Sequence, residues 1–160
     1  MRLNPDKSAR ENAARFLPRL AGEFFQAGDK AAGPGHPVKR LHPFRILTKR
    51  FRYSLEYFRP CYGPAMDPYL AQVKDLQQSL GELNDCYSSR GYYQWLLRIR
   101  EPQQRRLLAA LLRREGELLE KFCDHWQVGF ARPQLRQRLL RYLAKPPGRK
   151  GAKPGATRTA

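Results

Sequence analysis

Apolar residues recur at helical spacing in every long segment of the chain, and this periodicity most limits what it can fold into. The clearest case lies between residues 42 and 58, where one helix face would carry Phe44, Leu47, Phe51, Leu55 and Phe58. No segment shows the alternation of apolar and polar residues between hairpin turns that strands require. The sequence therefore predicts an all-α protein, a bundle of about five to six helices.

Prolines and glycines predict where the first helices begin and end. We expect helix 1 to start after Ser8, with Pro18 kinking or dividing it, and a loop over residues 27–37. Pro43 suits the first position of a helix, so helix 2 is predicted to start at His42-Pro43 and to run to about residue 58.

The second half of the chain has similar signals. An acidic N-cap and a proline at Asp67-Pro68 predict helix 3, which would end near Leu80. Gly81 and the pair Asn84-Asp85 then predict a tight corner before helix 4, over about residues 87–99. Pro102 and Pro133 would begin the last two helices.

A single domain over residues 1–144 is expected to precede a disordered basic tail over residues 145–160. A chain of 160 residues can bury one core, whereas the tail is rich in proline, glycine and basic residues and cannot extend that core.

Composition narrows the classes of function. The formal net charge is +17, from 31 basic and 14 acidic residues, which favours a polyanionic partner. Three widely spaced cysteines without a C-x-x-C pair predict neither disulfides nor a zinc site. Neither a signal peptide nor an apolar run of membrane-spanning length is present, so we expect no membrane partner and a cytoplasmic location.

A basic stripe is predicted on helix 2, opposite its apolar face. His42, Arg45, Lys49 and Arg52 fall together at spacings of three, four and three residues, with Tyr53 beside them. Like charges at this spacing destabilise a helix, and an anionic ligand would explain them. The free N–H groups at the helix start would also favour phosphate.

Two interpretations of the stripe follow from spacing alone. The bases could form a solvated face or pair with acids such as Asp75, Glu82 or Asp85, or they could bind a polyanion. Lys39, Arg40 and Arg50 add charge at the edges, which favours ligand binding.

Two motifs in the chain resemble those of the CHAD family, the histidine-containing α-helical domain proteins. Residues 41–58 read L-H-P-F-R-I-L-T-K-R-F-R-Y-S-L-E-Y-F, and residues 76–85 read L-Q-Q-S-L-G-E-L-N-D. The resemblance implies a non-catalytic helical module, without cofactor or metal, that binds inorganic polyphosphate. It implies that the ligand lies along a basic groove and that Gly81 and Asp85 belong to a helical corner, where Asp85 would orient a basic side chain. The implied groove residues are His42, Arg45, Lys49, Arg50, Arg52 and Tyr53.

The chain departs from the family pattern in one respect. Family members usually carry two copies of the motif helix, whereas this sequence holds one. Two chains pairing as a homodimer would rebuild the groove, and a half-site of weaker affinity is the alternative. Association with polyphosphate granules would follow from the ligand.

Two other functions remain open on the sequence alone. A nucleic-acid-binding helical protein would use the same charge, with bases stacking on Tyr87, Tyr92, Tyr93 and Trp95 unless these belong to the core. A domain associated with phosphohydrolase activity is the less favoured alternative. An enzyme would need acidic metal ligands or an activated nucleophile near the stripe, and Glu56 alone does not supply them.

Overall fold

The computed structural model of the chain describes residues 3–33, 35, 38–96 and 102–146, without the side chains of residues 39–40, 94–96 and 102–104. These residues form five α-helices, two 3₁₀ turns and no strand. The helices are α1 (Ala9–Ala31), α2 (His42–Tyr62), α3 (Asp67–Leu96), α4 (Pro102–Gly129) and α5 (Pro133–Ala144). The prediction of an all-α bundle of about five to six helices is confirmed.

The helix α1 begins where the sequence predicted and continues further. The Ser8 hydroxyl accepts from the backbone N–H of Glu11, whose carboxylate accepts from the Ser8 N–H, so a reciprocal capping box fixes the start. One helix runs through Pro18, so the predicted division there is wrong. The predicted loop also starts too early, because α1 continues to Ala31.

The helix α2 starts at His42, as predicted, and continues past its predicted end near residue 58. Pro60 lies in its last turn, and the helix ends at Tyr62 because Gly63 adopts a positive φ of 70°. A 3₁₀ turn at Val38–Leu41 leads directly into α2, and Leu41 itself has helical backbone angles. The first N–H groups of α2 therefore follow a helical turn rather than an extended segment, and their availability to a phosphate stays a prediction.

The predicted corner at Gly81 and Asn84-Asp85 is also wrong. One helix, α3, runs without interruption from Asp67 to Leu96. Gly81 does not have a positive φ, so it does not act as a C-cap. The predicted helices 3 and 4 are one element, and α2 packs along it.

An aromatic cluster centred on Phe24 of α1 joins three helices. The Phe24 ring lies 4.7 Å from that of Phe51 on α2, 5.3 Å from that of Trp126 on α4 and 5.4 Å from that of Phe130 beyond α4. The apolar face predicted for α2 points into this core, where Phe44, Phe51 and Leu55 are buried. Because these residues point into the core, the opposite side of α2 remains accessible.

The helices α3 and α4 form an antiparallel hairpin, and α5 packs on α1. Ion pairs link Glu82 with Lys121 and Arg90 with Glu115. Residue numbers rise along α3 as they fall along α4, so the two helices are antiparallel. The helix α5 ends at Ala144. The predicted disordered tail lies, from residue 147 onward, outside the described residues. No helix in the described ranges is long and apolar enough to cross a bilayer.

Candidate functional site

The predicted stripe lies on the flank of α2 that meets α3, rather than on its outermost face. His42 and Arg45 line a cavity together with residues of α3, and Arg52 donates from Nε to Oε1 of Gln77 on α3 at 2.7 Å. The outermost face of α2 instead carries the exposed side chains of Ile46, Tyr53 and Tyr57. The candidate site is therefore a groove between two helices, here named the α2–α3 groove, whose residues are His42, Arg45, Lys49, Arg52 and Gln77.

A cavity of about 490 Å³ opens at the end of this groove near the start of α2. One wall comes from α2 and the turn before it, and the other from α3. The lining residues are Val38, Leu41, His42, Arg45, Leu80, Leu83, Asn84, Tyr87 and Ser88. Apolar side chains thus form much of the wall, and two basic groups stand on one side.

Arg45 is the least satisfied base of the groove. Its side chain is half-buried, and its Nε is enclosed but has no hydrogen-bond partner among the residues that the structure describes. A buried donor without a partner costs about 1–3 kcal/mol, because it has lost water and gained nothing. Lys49, one helical turn further, is also half-buried and has no ion pair with any described residue. Neither Arg45 nor Lys49 is therefore paired with an acidic side chain among the described residues.

Arg52 already has partners. Besides Gln77, its guanidinium contacts the Glu56 carboxylate at 2.5 Å and lies 4.2 Å from the centre of the Tyr53 ring. Only 16 % of the side chain is exposed. Glu56 therefore neutralises part of the charge at this end, and Arg52 is held in position for any further contact.

Two residues assigned to the same stripe face elsewhere. Arg50 points toward α1, where it lies 3.9 Å from the carboxylate of Glu23 and 6.0 Å from the centre of the Phe16 ring. Tyr53 and Arg50 line a separate, shallower cavity that includes Leu3. Arg50 therefore lies off the stripe, because it directly follows Lys49 and one residue step in an α-helix turns the side-chain direction by roughly 100°. Its contact with a ligand stays a prediction.

Lys39 and Arg40 lie in the 3₁₀ turn that precedes α2. Their backbone adjoins the cavity wall formed by Val38 and Leu41. Their predicted ligand contacts depend on side chains outside the described residues. The same holds for the Trp95 side chain proposed for stacking.

The acids considered as alternative partners of the stripe do not pair with its described bases. Glu82 contacts Lys121 of α4 at 3.9 Å, and Asp85 accepts a long hydrogen bond of 3.4 Å from Asn84. Asp75 has no ion pair with any described residue. Asp85 is exposed on α3 and orients none of the described bases, contrary to the role that the resemblance implied. Within the described ranges, Arg45 and Lys49 keep their charge available.

Three residues were missed as site residues: Gln77 holds Arg52, and Asn84 and Ser88 line the cavity. Tyr87, which the sequence analysis considered only for stacking of nucleic-acid bases, lines the same cavity. The second motif, residues 76–85, contains Gln77 and Asn84, so the sequence did carry a signal. That motif was interpreted as a corner, whereas it forms one wall of the groove.

The side chains of the groove determine which ligands it can bind. No group of three or more His, Cys, Asp or Glu side chains that could hold a metal ion occurs among the described residues. The groups that face the cavity are donors suited to anions: an imidazole, a guanidinium, an amide and two hydroxyls. The arrangement can bind phosphate oxygens through charge-assisted hydrogen bonds.

The model of the CHAD domain family matches residues 2–94, which is more than half of the chain. The matched residues include α1, α2 and most of α3, and therefore both walls of the groove. No curated protein and no solved structure matches the chain. The chain belongs to the CHAD domain family, a family associated with polyphosphate binding.

Proposed function

We propose that the protein binds inorganic polyphosphate in the α2–α3 groove and does not catalyse a reaction on it. The observation that carries this proposal is the Arg45 side chain, which lines an open cavity and whose enclosed Nε has no hydrogen-bond partner among the described residues. A phosphate oxygen would supply the missing acceptor, and an ionised acceptor strengthens the hydrogen bond. The family's association with polyphosphate supports the choice of ligand.

Lys49 would continue the binding surface. It lies four residues after Arg45, about 6 Å along the helix axis at a rise of 1.5 Å per residue. A flexible chain of phosphates can therefore contact both cations along α2, with the Arg52 guanidinium beyond them. Neutralising Arg45 and Lys49 together would also remove their mutual repulsion, which spans one turn of helix.

Reversing the charges of Arg45 and Lys49 tests whether the groove is the binding site. We expect the double variant Arg45→Glu/Lys49→Glu to bind polyphosphate on the order of 100-fold more weakly in a titration, because two charge-assisted contacts are lost. The matched control is Arg138→Glu/Arg141→Glu, which makes the same change in net charge at two exposed positions of α5. Equal loss in both variants would mean that only net charge matters, and the groove would be rejected.

The presence of one motif helix, α2, affects how many chains form a complete polyphosphate site. The sequence contains one such helix, so a homodimer in which each chain contributes one α2–α3 groove is the proposed complete site. Light scattering with and without polyphosphate should then show a mass of two chains in the bound form. If the polyphosphate complex instead has the mass of one chain, the dimer is rejected and each chain binds through a half-site. Polyphosphate binding would bring the protein to polyphosphate granules in the cytoplasm.

Nucleic acid is the competing ligand. We expect polyphosphate to displace single- and double-stranded nucleic acid of matched charge at every salt concentration of a series. Preferred binding of nucleic acid would reverse the proposal. Phosphate release from polyphosphate in the presence of magnesium, lost in Glu56→Gln, would show an enzyme instead.

A further inference from the structure

The cavity at the end of the groove has a wall that a chain of phosphates cannot use. Val38 and Leu41 contribute apolar side chains from the turn before α2, and Leu80 and Leu83 contribute them from α3. Inorganic polyphosphate has no apolar surface, so this wall adds nothing to its binding. Small-molecule sites typically occupy about 300–1,000 Å³ and combine an apolar lining with a few polar groups. The cavity, at about 490 Å³, has that size and composition.

The polar groups of the cavity stand on both of its walls. Asn84 and Ser88, one helical turn apart on α3, offer an amide and a hydroxyl. An asparagine amide presents a donor and an acceptor side by side, which suits the edge of a nucleobase. His42 and Arg45 face them from α2. A ligand here can therefore meet an amide and a hydroxyl on one side and an imidazole and a guanidinium on the other.

Tyr87 gives the cavity an aromatic ring that is held in place. The guanidinium of Arg90 lies 5.0 Å from the centre of this ring, and Arg90 Nε lies 3.2 Å from the Glu115 carboxylate on α4. That ion pair is poorly aligned, since neither atom makes a well-formed hydrogen bond. It nevertheless ties the ring to the α3–α4 hairpin. A ring fixed in this way can pack against a planar group without first being ordered.

We propose that the cavity takes the base of a nucleoside polyphosphate, whose phosphates continue along α2 to Arg45 and Lys49. The inference rests on the proposed function for the phosphate end and adds a subsite for the organic end. Arg45 lines the cavity, and Lys49 follows one turn later, away from the cavity. The base therefore lies near the start of α2, and the phosphates point toward its middle.

Two ligands with the same number of phosphates test the subsite. We expect adenosine triphosphate to bind the full chain about tenfold more tightly than inorganic tripolyphosphate, because a stacked and partly buried base adds affinity of that order. Both ligands should weaken in Arg45→Ala, since both use the same phosphate contacts.

Neighbouring serines on α3 provide a matched pair of variants. Ser88 lines the cavity and Ser89 does not, and both are exposed. We expect Ser88→Phe to fill the cavity and to remove the tenfold advantage of the nucleotide over tripolyphosphate, measured as the ratio of the two affinities. Ser89→Phe should retain that advantage. A cooperative denaturant unfolding transition for each variant shows that it is folded.

The outcomes separate the two proposals. If tripolyphosphate binds the wild-type chain as tightly as the nucleotide, or if Ser88→Phe leaves the nucleotide's advantage intact, the base subsite is rejected and the polyphosphate groove stands. If neither ligand binds, or if Arg45→Ala weakens neither, the groove itself is rejected and the subsite falls with it.

Discussion

A close contact between Gly28 and Trp126 determines how α1 and α4 pack. A Cβ at position 28 would lie 1.9 Å from Cη2 of Trp126, which is too close for any real atom pair. The indole Nε1 donates to the carboxylate of Asp29 at 3.1 Å, and Arg136 of α5 pairs with the same carboxylate. Three helices therefore meet at adjacent residues, and α2 packs on the frame that they form.

Gly28→Ala should destabilise the protein by about 1–3 kcal/mol or more, because the rigid indole ring has to move. The control is Gly22→Ala in the same helix, where a Cβ would meet nothing within 4 Å. Ala is favoured over Gly in a helix by about 0.5–1 kcal/mol, so this control should be neutral or stabilising. Denaturant unfolding measures both. A Gly28→Ala variant as stable as the wild type would contradict the packing described.

The Asp29 carboxylate predicts an acid-sensitive contribution to stability. Hydrogen bonds from Arg136, and secondarily from Trp126, lower the pKa of Asp29 below its usual value. This stabilisation is complete above the unfolded-state pKa of about 3.9 and is lost as the pH falls through the lower folded-state pKa. The difference in unfolding free energy between wild type and Asp29→Asn should therefore be largest near neutral pH and shrink below about pH 4.

Asp75→Asn is the control for this measurement, because Asp75 is exposed and has no ion pair with a described residue. A difference for Asp29→Asn that stays constant down to pH 2, or that grows, would show that the carboxylate charge does not stabilise the fold.

At the scale of elements, α3 is where the sequence was most misleading. Gly81 followed by Asn84-Asp85 is typical of a helix end and a new start, yet each of these residues is also tolerated within a helix. Leu80 and Leu83 are buried on both sides of Gly81, so packing against α2 and α4 stabilises a continuous helix there. Local signals could not include that tertiary contribution.

Gly81→Ala tests the continuity of α3. A Cβ at this position would meet nothing within 4 Å. In a continuous helix the substitution should raise the free energy of unfolding by about 0.5–1 kcal/mol. A corner with a left-handed glycine would instead be destabilised by alanine. A lower unfolding midpoint for Gly81→Ala would therefore restore the corner.

The helix α2 was predicted more successfully, and the reason is its pattern. Its apolar face, with Phe44, Phe51 and Leu55, was identified correctly because a 3.6-residue period specifies a direction relative to the core. The partners of each base were not predictable, since they belong to other elements. Arg50 turns to Glu23 of α1 and Arg52 to Gln77 of α3, and no periodicity within α2 contains that information.

At the scale of the whole molecule, packing converts a general excess of positive charge into a local site. Of the bases described on α2, Arg50, Arg52 and Arg59 have acidic partners, and Arg59 lowers the pKa of Asp67 through its hydrogen bonds. Arg45, which lines the cavity, and Lys49, one turn further along α2, have no such partner among the described residues. The positive charge and the helix that carries it were predictable from the sequence. Which bases pair with acids and which do not could be seen only in the folded structure.

The dependence of polyphosphate affinity on salt tests this account most directly. For a flexible polyanion, the slope of log K against log salt concentration falls in magnitude by about 0.7 for each phosphate contact removed, so Arg45→Ala/Lys49→Ala should reduce it by about 1.4. Arg138→Ala/Arg141→Ala removes the same charge from α5 and should leave the slope unchanged. An equal change in both double variants, or no change in the first, would contradict binding in the α2–α3 groove.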